Sequence, residues 1–305
     1  MKKHLVIPTV AAALALASSA SASLIAYEGF NLTAGNNNIA GSSGTGSSGF
    51  STNWTTIGDA NGGNILSPGY TYSGITSAGN RAQVFNASAN SDSSATYFYR
   101  TLSTPFTVAA NSTGTFWASF MIQGTAAAVG GAGATIGFFS DAAPTASTAM
   151  STPGAITIGS VGSNTNYRVA NRALDTSGGG TVLTTGTNAG NQVFMVAKIT
   201  INTNSGGNEL ISLWINPTTF DGTEGSLGTA SIASQSLSNL GISSISSIAF
   251  GSNYVNTGSA TLGLDEIRIG TTLAAVTAIP EPSAFAALAG LGALGLVGLR
   301  RRRRA

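Results

Sequence analysis

The chain has 305 residues, no cysteine and a single histidine, His4, so disulfides, thiolate nucleophiles and Cys/His zinc sites are excluded. The pI near 9.0 comes from the two ends, where Lys2, Lys3 and Arg300 to Arg304 supply seven of the thirteen basic residues. Between Ser23 and Ala278 six basic residues stand against ten carboxylates, a net charge of −4, which leaves no electrostatic footprint for nucleic acid.

Met1-Lys-Lys-His4 is a basic start, Leu5 to Ala17 is apolar apart from Pro8 and Thr9, and Ala20-Ser21-Ala22 supplies the small residues that signal peptidase requires. A 13-residue apolar stretch is too short to span a bilayer, which takes ~20 residues. Residues 1–22 are therefore expected to be a signal peptide, with Ala20 and Ala22 marking the cleavage site and Ser23 as the mature N-terminus.

Residues 23–278 are rich in Gly, Ser, Thr, Asn and Ala, broken by short β-branched and aromatic runs with no helical period. In chain order the predicted strands are Leu24 to Phe30, Ala82 to Phe85, Ala95 to Leu102, Thr115 to Ile122, Ala134 to Phe139 and Ala155 to Val161. Then follow Tyr167 to Ala170, Val193 to Ile201, Glu209 to Asn216, Ile245 to Gly251 and Thr261 to Ile269. Eleven such runs separated by Gly/Asn/Ser turns point to an all-β, antiparallel β-sandwich or barrel. Without cysteine, its stability has to come from a core, for which ~255 residues suffice.

Val193 to Ile201 and Glu209 to Asn216 form the clearest hairpin. Its connection, Asn202 to Asn208, is rich in residues that tolerate positive φ. The second strand is apolar on both faces, as expected for a strand covered on both sides, and Pro217 ends its ladder. Thr33 to Ser51 has too little apolar surface to order itself alone and is expected to be a long surface loop.

Residues 279–305 read as a separate unit. Pro280-Glu281-Pro282 is followed by sixteen apolar residues, Ala284 to Leu299, and then by Arg300, Arg301, Arg302, Arg303 and Arg304. A helix of that length reaches about 24 Å against a ~30 Å hydrocarbon layer, so it is expected to anchor weakly and transiently. Positive charge stays cytoplasmic, which places the preceding domain on the outer face of the inner membrane.

The Pro-Glu-Pro motif, apolar helix and arginine cluster together resemble the PEP-CTERM sorting signal. The resemblance implies an exosortase, a membrane transpeptidase, as partner, with cleavage near the motif and delivery to the cell surface or its exopolysaccharide. Tyr27-Glu28-Gly29-Phe30, Leu213-Trp-Ile-Asn-Pro217 and Leu264-Asp-Glu-Ile-Arg-Ile-Gly270 resemble strands of concanavalin A-like jelly rolls, which implies a fold and no particular chemistry.

Glycanases among such jelly rolls carry Glu-x-Asp-x-x-Glu on one strand, and this sequence lacks it. Nor are any two carboxylates spaced i, i+2 or i, i+4, as a catalytic pair on one strand would be. No catalytic residue is therefore assigned. Asp221-Gly-Thr-Glu224 offers oxygens for calcium but lacks the spacing of a dedicated loop and reads as a turn. Trp54, Tyr70 and Tyr72, with Tyr97 and Tyr99, are candidate glycan contacts, whereas Trp117 and Trp214 read as core. In the last strand strict alternation sets Asp265 on the face of Ile267 and Ile269, which demands either a buried, hydrogen-bonded carboxylate or a bulge. Burial is the expectation, with donors from residues 28–31, and Glu266 and Arg268 as a solvated pair. The functional expectation is a non-enzymatic surface or matrix protein associated with exopolysaccharide, with a defined-glycan binding module and a polysaccharide hydrolase or lyase as alternatives.

Overall fold

A computed structural model describes residues 23–58, 62–73, 75–77, 79–85, 96–124, 133–144, 155–160, 165–171, 182–237, 240–253 and 261–277. In chain order the strands begin with β1 (Leu24–Glu28), β2 (Thr55–Gly58), β3 (Gly63–Leu66), β4 (Thr71–Tyr72), β5 (Ile75–Thr76) and β6 (Arg81–Phe85). The long strands β7 (Thr96–Thr107) and β8 (Thr113–Gly124) precede β9 (Gly133–Phe139), β10 (Ala155–Ser160), β11 (Asn166–Ala170) and β12 (Val182–Asn188). There follow β13 (Val193–Asn202), β14 (Leu210–Ile215), a 3₁₀ turn (Glu224–Leu227), β15 (Ile232–Ser236), β16 (Ser244–Asn253), β17 (Thr261–Gly270) and a short helix, α1 (Leu273–Thr277).

Each predicted strand has its counterpart, although Ala95 and Val161 lie outside the described residues. The strands not foreseen, β2 to β5, β12 and β15, are two to seven residues long and carry few apolar side chains, so there was little periodicity to detect.

Two antiparallel sheets make the sandwich. One has the order β15-β14-β13-β8-β17-β6-β3, with β1 paired to the second half of β17, and the other runs β12-β11-β10-β9-β16-β7-β2. The chain changes sheet between β1 and β2, β2 and β3, β6 and β7, β7 and β8, β8 and β9, β12 and β13, β15 and β16, and β16 and β17, the alternation of a jelly roll.

Period-two alternation aims one face of each strand inward. Phe116, Phe120 and Ile122 of β8 and Met195, Ile199 and Ile201 of β13 join Phe98, Phe138, Ile158 and Phe250 of the other sheet in one core. The opposite face of the first sheet carries a second apolar cluster, in which Trp117, Met121, Phe194, Val196 and Trp214 pack under Tyr70, Ile75, Leu227, Leu273 and Val276. That cover explains why β13 and β14 are apolar on both faces. It consists of loops, the β4–β5 ribbon, the 3₁₀ turn and α1, and β14 itself lies one strand in from the edge.

Residues 29–54 form no regular strand, in keeping with the predicted loop, but they are tied down. Ser48 bridges Tyr27, Gly35 bridges Ile65, Phe50 bridges Leu102, and Ile39 is wholly buried. Gly49 allows the closest approach, since a Cβ there would lie 1.8 Å from the Ile25 carbonyl oxygen.

In β17 both alternatives hold at once. Its pairing with β8 slips between Asp265 and Arg268, and Glu266 has φ 51°. The extra residue reverses the parity, so Leu262 and Leu264 before it and Ile267 and Ile269 after it all enter the core.

Candidate functional site

The signal-cleavage residues Ala20 and Ala22 and the sorting residues Pro280, Glu281, Pro282 and Arg300 to Arg304 lie outside the described residues, as does the predicted helix from Ala284 to Leu299. Among the described residues no helix is long and apolar enough to cross a membrane. The domain's two ends meet on one edge: the Thr271 N–H donates to the Ser23 carbonyl at 3.0 Å. From there α1 folds back onto the sheet through buried Leu273 and Val276, and Ser119 Oγ donates to the Val276 carbonyl at 2.6 Å.

The predicted glycan contacts need correction. Trp54 is 1% exposed, packed against Phe30 and Phe250 with its Nε1–H donated to Glu28 Oε2 at 3.1 Å, so no sugar can reach its ring. A polar neighbourhood in sequence suggested exposure, but a large ring packed against Phe30 and Phe250 gains more by joining the core. Tyr70 is 8% exposed, its hydroxyl donating to Gln123 Oε1 at 3.2 Å, and burial pushes its pKa up to about 12. Tyr97 is buried, while Tyr72 and Tyr99 are half-buried. Tyr72 stacks on Phe194 at 5.3 Å and donates to the Pro217 carbonyl at 3.0 Å.

Asp265 is fully buried, as expected, but its donors are not residues 28–31. Its Oδ2 accepts the Tyr70 N–H at 2.8 Å, its Oδ1 accepts the Glu266 N–H at 2.9 Å, and Ser77 adds a side-chain hydrogen bond. The carboxylate thus pins the β4–β5 ribbon to the sheet. Gly69 makes the fit possible, because a Cβ there would lie 2.6 Å from Asp265 Oδ2. Burial outweighs these donors and raises the Asp265 pKa to about 7.

Beside it, Glu266 and Arg268 are 1% and 7% exposed, so the expected solvated pair is a buried one. Arg268 Nη2 donates to Glu266 Oε2 at 3.0 Å, and the Tyr27 hydroxyl donates to Glu266 Oε1 at 2.9 Å. The bulge turns both acidic residues to the sheet's covered face, which strict alternation did not allow.

Glu28 is the residue that sequence reasoning missed. It faces inward from β1 and accepts from Arg100 Nη1 at 2.5 Å, the Phe30 N–H at 2.8 Å and the Trp54 indole, joining the two sheets. Arg100 stacks over Phe50 and shares the inward parity of Phe98 and Leu102 in β7. That parity was the available signal, since a lone arginine between two inward apolar positions requires an anion opposite. Desolvation raises the Glu28 pKa and lowers that of Arg100, while their attraction opposes both shifts.

Asp221 forms the expected turn, its Oδ1 accepting the Thr223 N–H at 2.8 Å and the Thr223 hydroxyl at 2.6 Å, bonds that lower its pKa. Among the described residues no three His, Cys, Asp or Glu side chains gather as a metal site.

On the second sheet face an open groove of about 310 Å³ runs between β14, β15 and the 3₁₀ turn. Trp214 and Ser212 form its floor, Glu224, Gly225 and Gly228 one wall, and Ala233 of the edge strand the other. Trp214 stacks on Trp117 at 5.9 Å and donates its indole N–H to the Gly228 carbonyl at 3.1 Å.

Residues 278–303 match the model of the PEP-CTERM protein-sorting motif. That motif implies export and processing by an exosortase. It begins at the residue after the last turn of α1. No curated protein matches the chain. Among solved structures, the globular domain of T. cruzi calreticulin is 12% identical with a TM-score of 0.43, over 88% of this chain and 100% of that one. An endo-β-1,4-glucuronan lyase from the fungus Trichoderma reesei is 11% identical with a TM-score of 0.41, over 70% and 89%. Lectin II from Ulex europaeus is 13% identical with a TM-score of 0.40, over 72% and 94%. The activities those names state belong to those proteins.

Proposed function

We propose that the chain is a non-enzymatic surface or matrix protein. In this reading an exosortase cleaves it near Pro280-Glu281-Pro282, releasing a β-sandwich that associates with extracellular polysaccharide. The observation that carries the reading is the sorting motif at residues 278–303, joined without a spacer to a domain that is closed at that end by α1. The buried carboxylates support a structural role, since Glu28, Asp265 and Glu266 spend their oxygens on internal donors.

Replacing Arg300 to Arg304 by serine in the producing cell tests the sorting. The variant should accumulate unprocessed in the inner-membrane fraction, and unchanged delivery to the surface would overturn the reading. Release of reducing ends or unsaturated uronides from polysaccharide by the purified protein would overturn the non-enzymatic part.

A further inference from the structure

The sorting motif starts at residue 278, and α1 is docked on the sheet up to residue 277. We propose that α1 is a latch: while it lies on the sheet it keeps the chain before Pro280 out of a protease's cleft, and the exosortase cuts only after it undocks. The latch rests on the exosortase reading above and adds a gate to it.

The docking is specific. Leu273, Ala275, Val276 and Thr277 are buried, with Leu273 and Val276 packed in the cluster around Trp117 and Trp214. Gly270 lets the chain turn back this tightly, because a Cβ there would lie 2.7 Å from the Ala275 Cβ and 3.1 Å from the Ser23 carbonyl oxygen. Ser119 Oγ of β8 donates to the Val276 carbonyl at 2.6 Å, and the Thr277 hydroxyl donates to the Leu273 carbonyl at 2.9 Å.

Reach decides the consequence. From Thr277 to Pro280 there are three peptide steps, an extended length of about 10 Å. A domain of ~255 residues has a radius of gyration of about 18 Å, so the motif stays nearer to the domain than the domain's own radius. An enzyme that cuts a backbone holds residues on both sides of the bond extended and pairs with their N–H and C=O groups. On the N-terminal side those residues run back through Ala278 into Thr277 and Val276, which are helical, buried and, at the Val276 carbonyl, already bonded. Undocking is local, since α1 has five residues and pairs with no strand, so it can leave while both sheets stay closed.

Lengthening the leash provides the test. The full chain in detergent, with the recognition sequence of a site-specific protease placed directly after Ala278, is cut in three forms: unchanged, with Ser119→Ala, and with a short Gly/Ser segment inserted between Thr277 and Ala278. The insertion frees the site without touching α1 and should speed cutting about tenfold. Ser119→Ala removes the hydrogen bond to Val276 and should speed it about threefold. The same insertion ahead of the native tail should shorten the life of the precursor in a pulse-chase in the producing cell. Equal rates with and without the insertion, in either assay, overturn the latch. Surface delivery that depends on Arg300 to Arg304 while the insertion changes nothing would remove the latch and leave the sorting reading standing. Faster cutting of the inserted form by the added protease, with delivery independent of those arginines, would do the reverse.

Discussion

Strand β1 and its partner β17 carry charge on both faces, and the two faces handle it differently. On the inner face Glu28 meets a cation from the other sheet, Arg100, along with the Trp54 indole and the Phe30 amide. On the outer face Asp265 has no cation among its hydrogen-bond partners and relies on Tyr70, Glu266 and Ser77, while the adjacent Glu266 holds Arg268 and Tyr27. The inner station joins two sheets by pairing a carboxylate with a guanidinium. The outer one holds a ribbon on a sheet with a carboxyl that burial drives toward its neutral form. A buried acid therefore indicates attachment in this fold, and the identity of its donor sets how the attachment responds to mutation and pH.

Breaking the inner pair should have the largest effect. Arg100→Ala leaves the Glu28 carboxyl without its cation in the core and should cost about 3–5 kcal/mol in urea unfolding. The double variant Glu28→Gln/Arg100→Met should recover most of that loss. A single variant as stable as wild type would show that the pair does not join the sheets.

On the outer face, Asp265→Ala deprives two backbone amides and Ser77 of their acceptor and should cost about 2–3 kcal/mol. Glu266→Ala should cost about 1–2 kcal/mol, because Arg268 and Tyr27 lose a buried acceptor. The solvated pair expected from the sequence would make this substitution nearly silent, and equal melting of that variant and wild type would restore that view.

The pH dependence reads the outer face. The folded protein holds the Asp265 proton up to about pH 7, against 3.8 for the ordinary group, so stability is highest in acid and falls as pH rises between those values. Glu28 and Glu209 are raised by burial too and act in the same direction. Urea unfolding at pH 5 and pH 8 should differ by about 2–3 kcal/mol in favour of pH 5, and Asp265→Asn should shrink the gap. A gap of opposite sign would mean that Asp265 is ionised throughout.

Alternation and turn residues in the sequence were enough to show an all-β sandwich or barrel, the β13–β14 hairpin and the conflict within β17. Those signals are local, since a strand's period and a turn's glycines act within a few residues. The tail was legible for the same reason: Pro-Glu-Pro, the apolar run and the arginines are contiguous. Trp54 and Tyr70 were misjudged because their sequence neighbours are polar while their spatial neighbours, Phe250 and Asp265, lie about two hundred residues away.

Composition and order along the chain thus determined the all-β class, the sorting tail and the exclusion of thiol chemistry. Only the tertiary structure decided which acids are buried, that Arg100 answers Glu28, and that Trp214 floors a groove. Each of these depends on how distant strands register, and a single bulge at Glu266 reverses which side chains face the core, an outcome that no count along β17 alone could select.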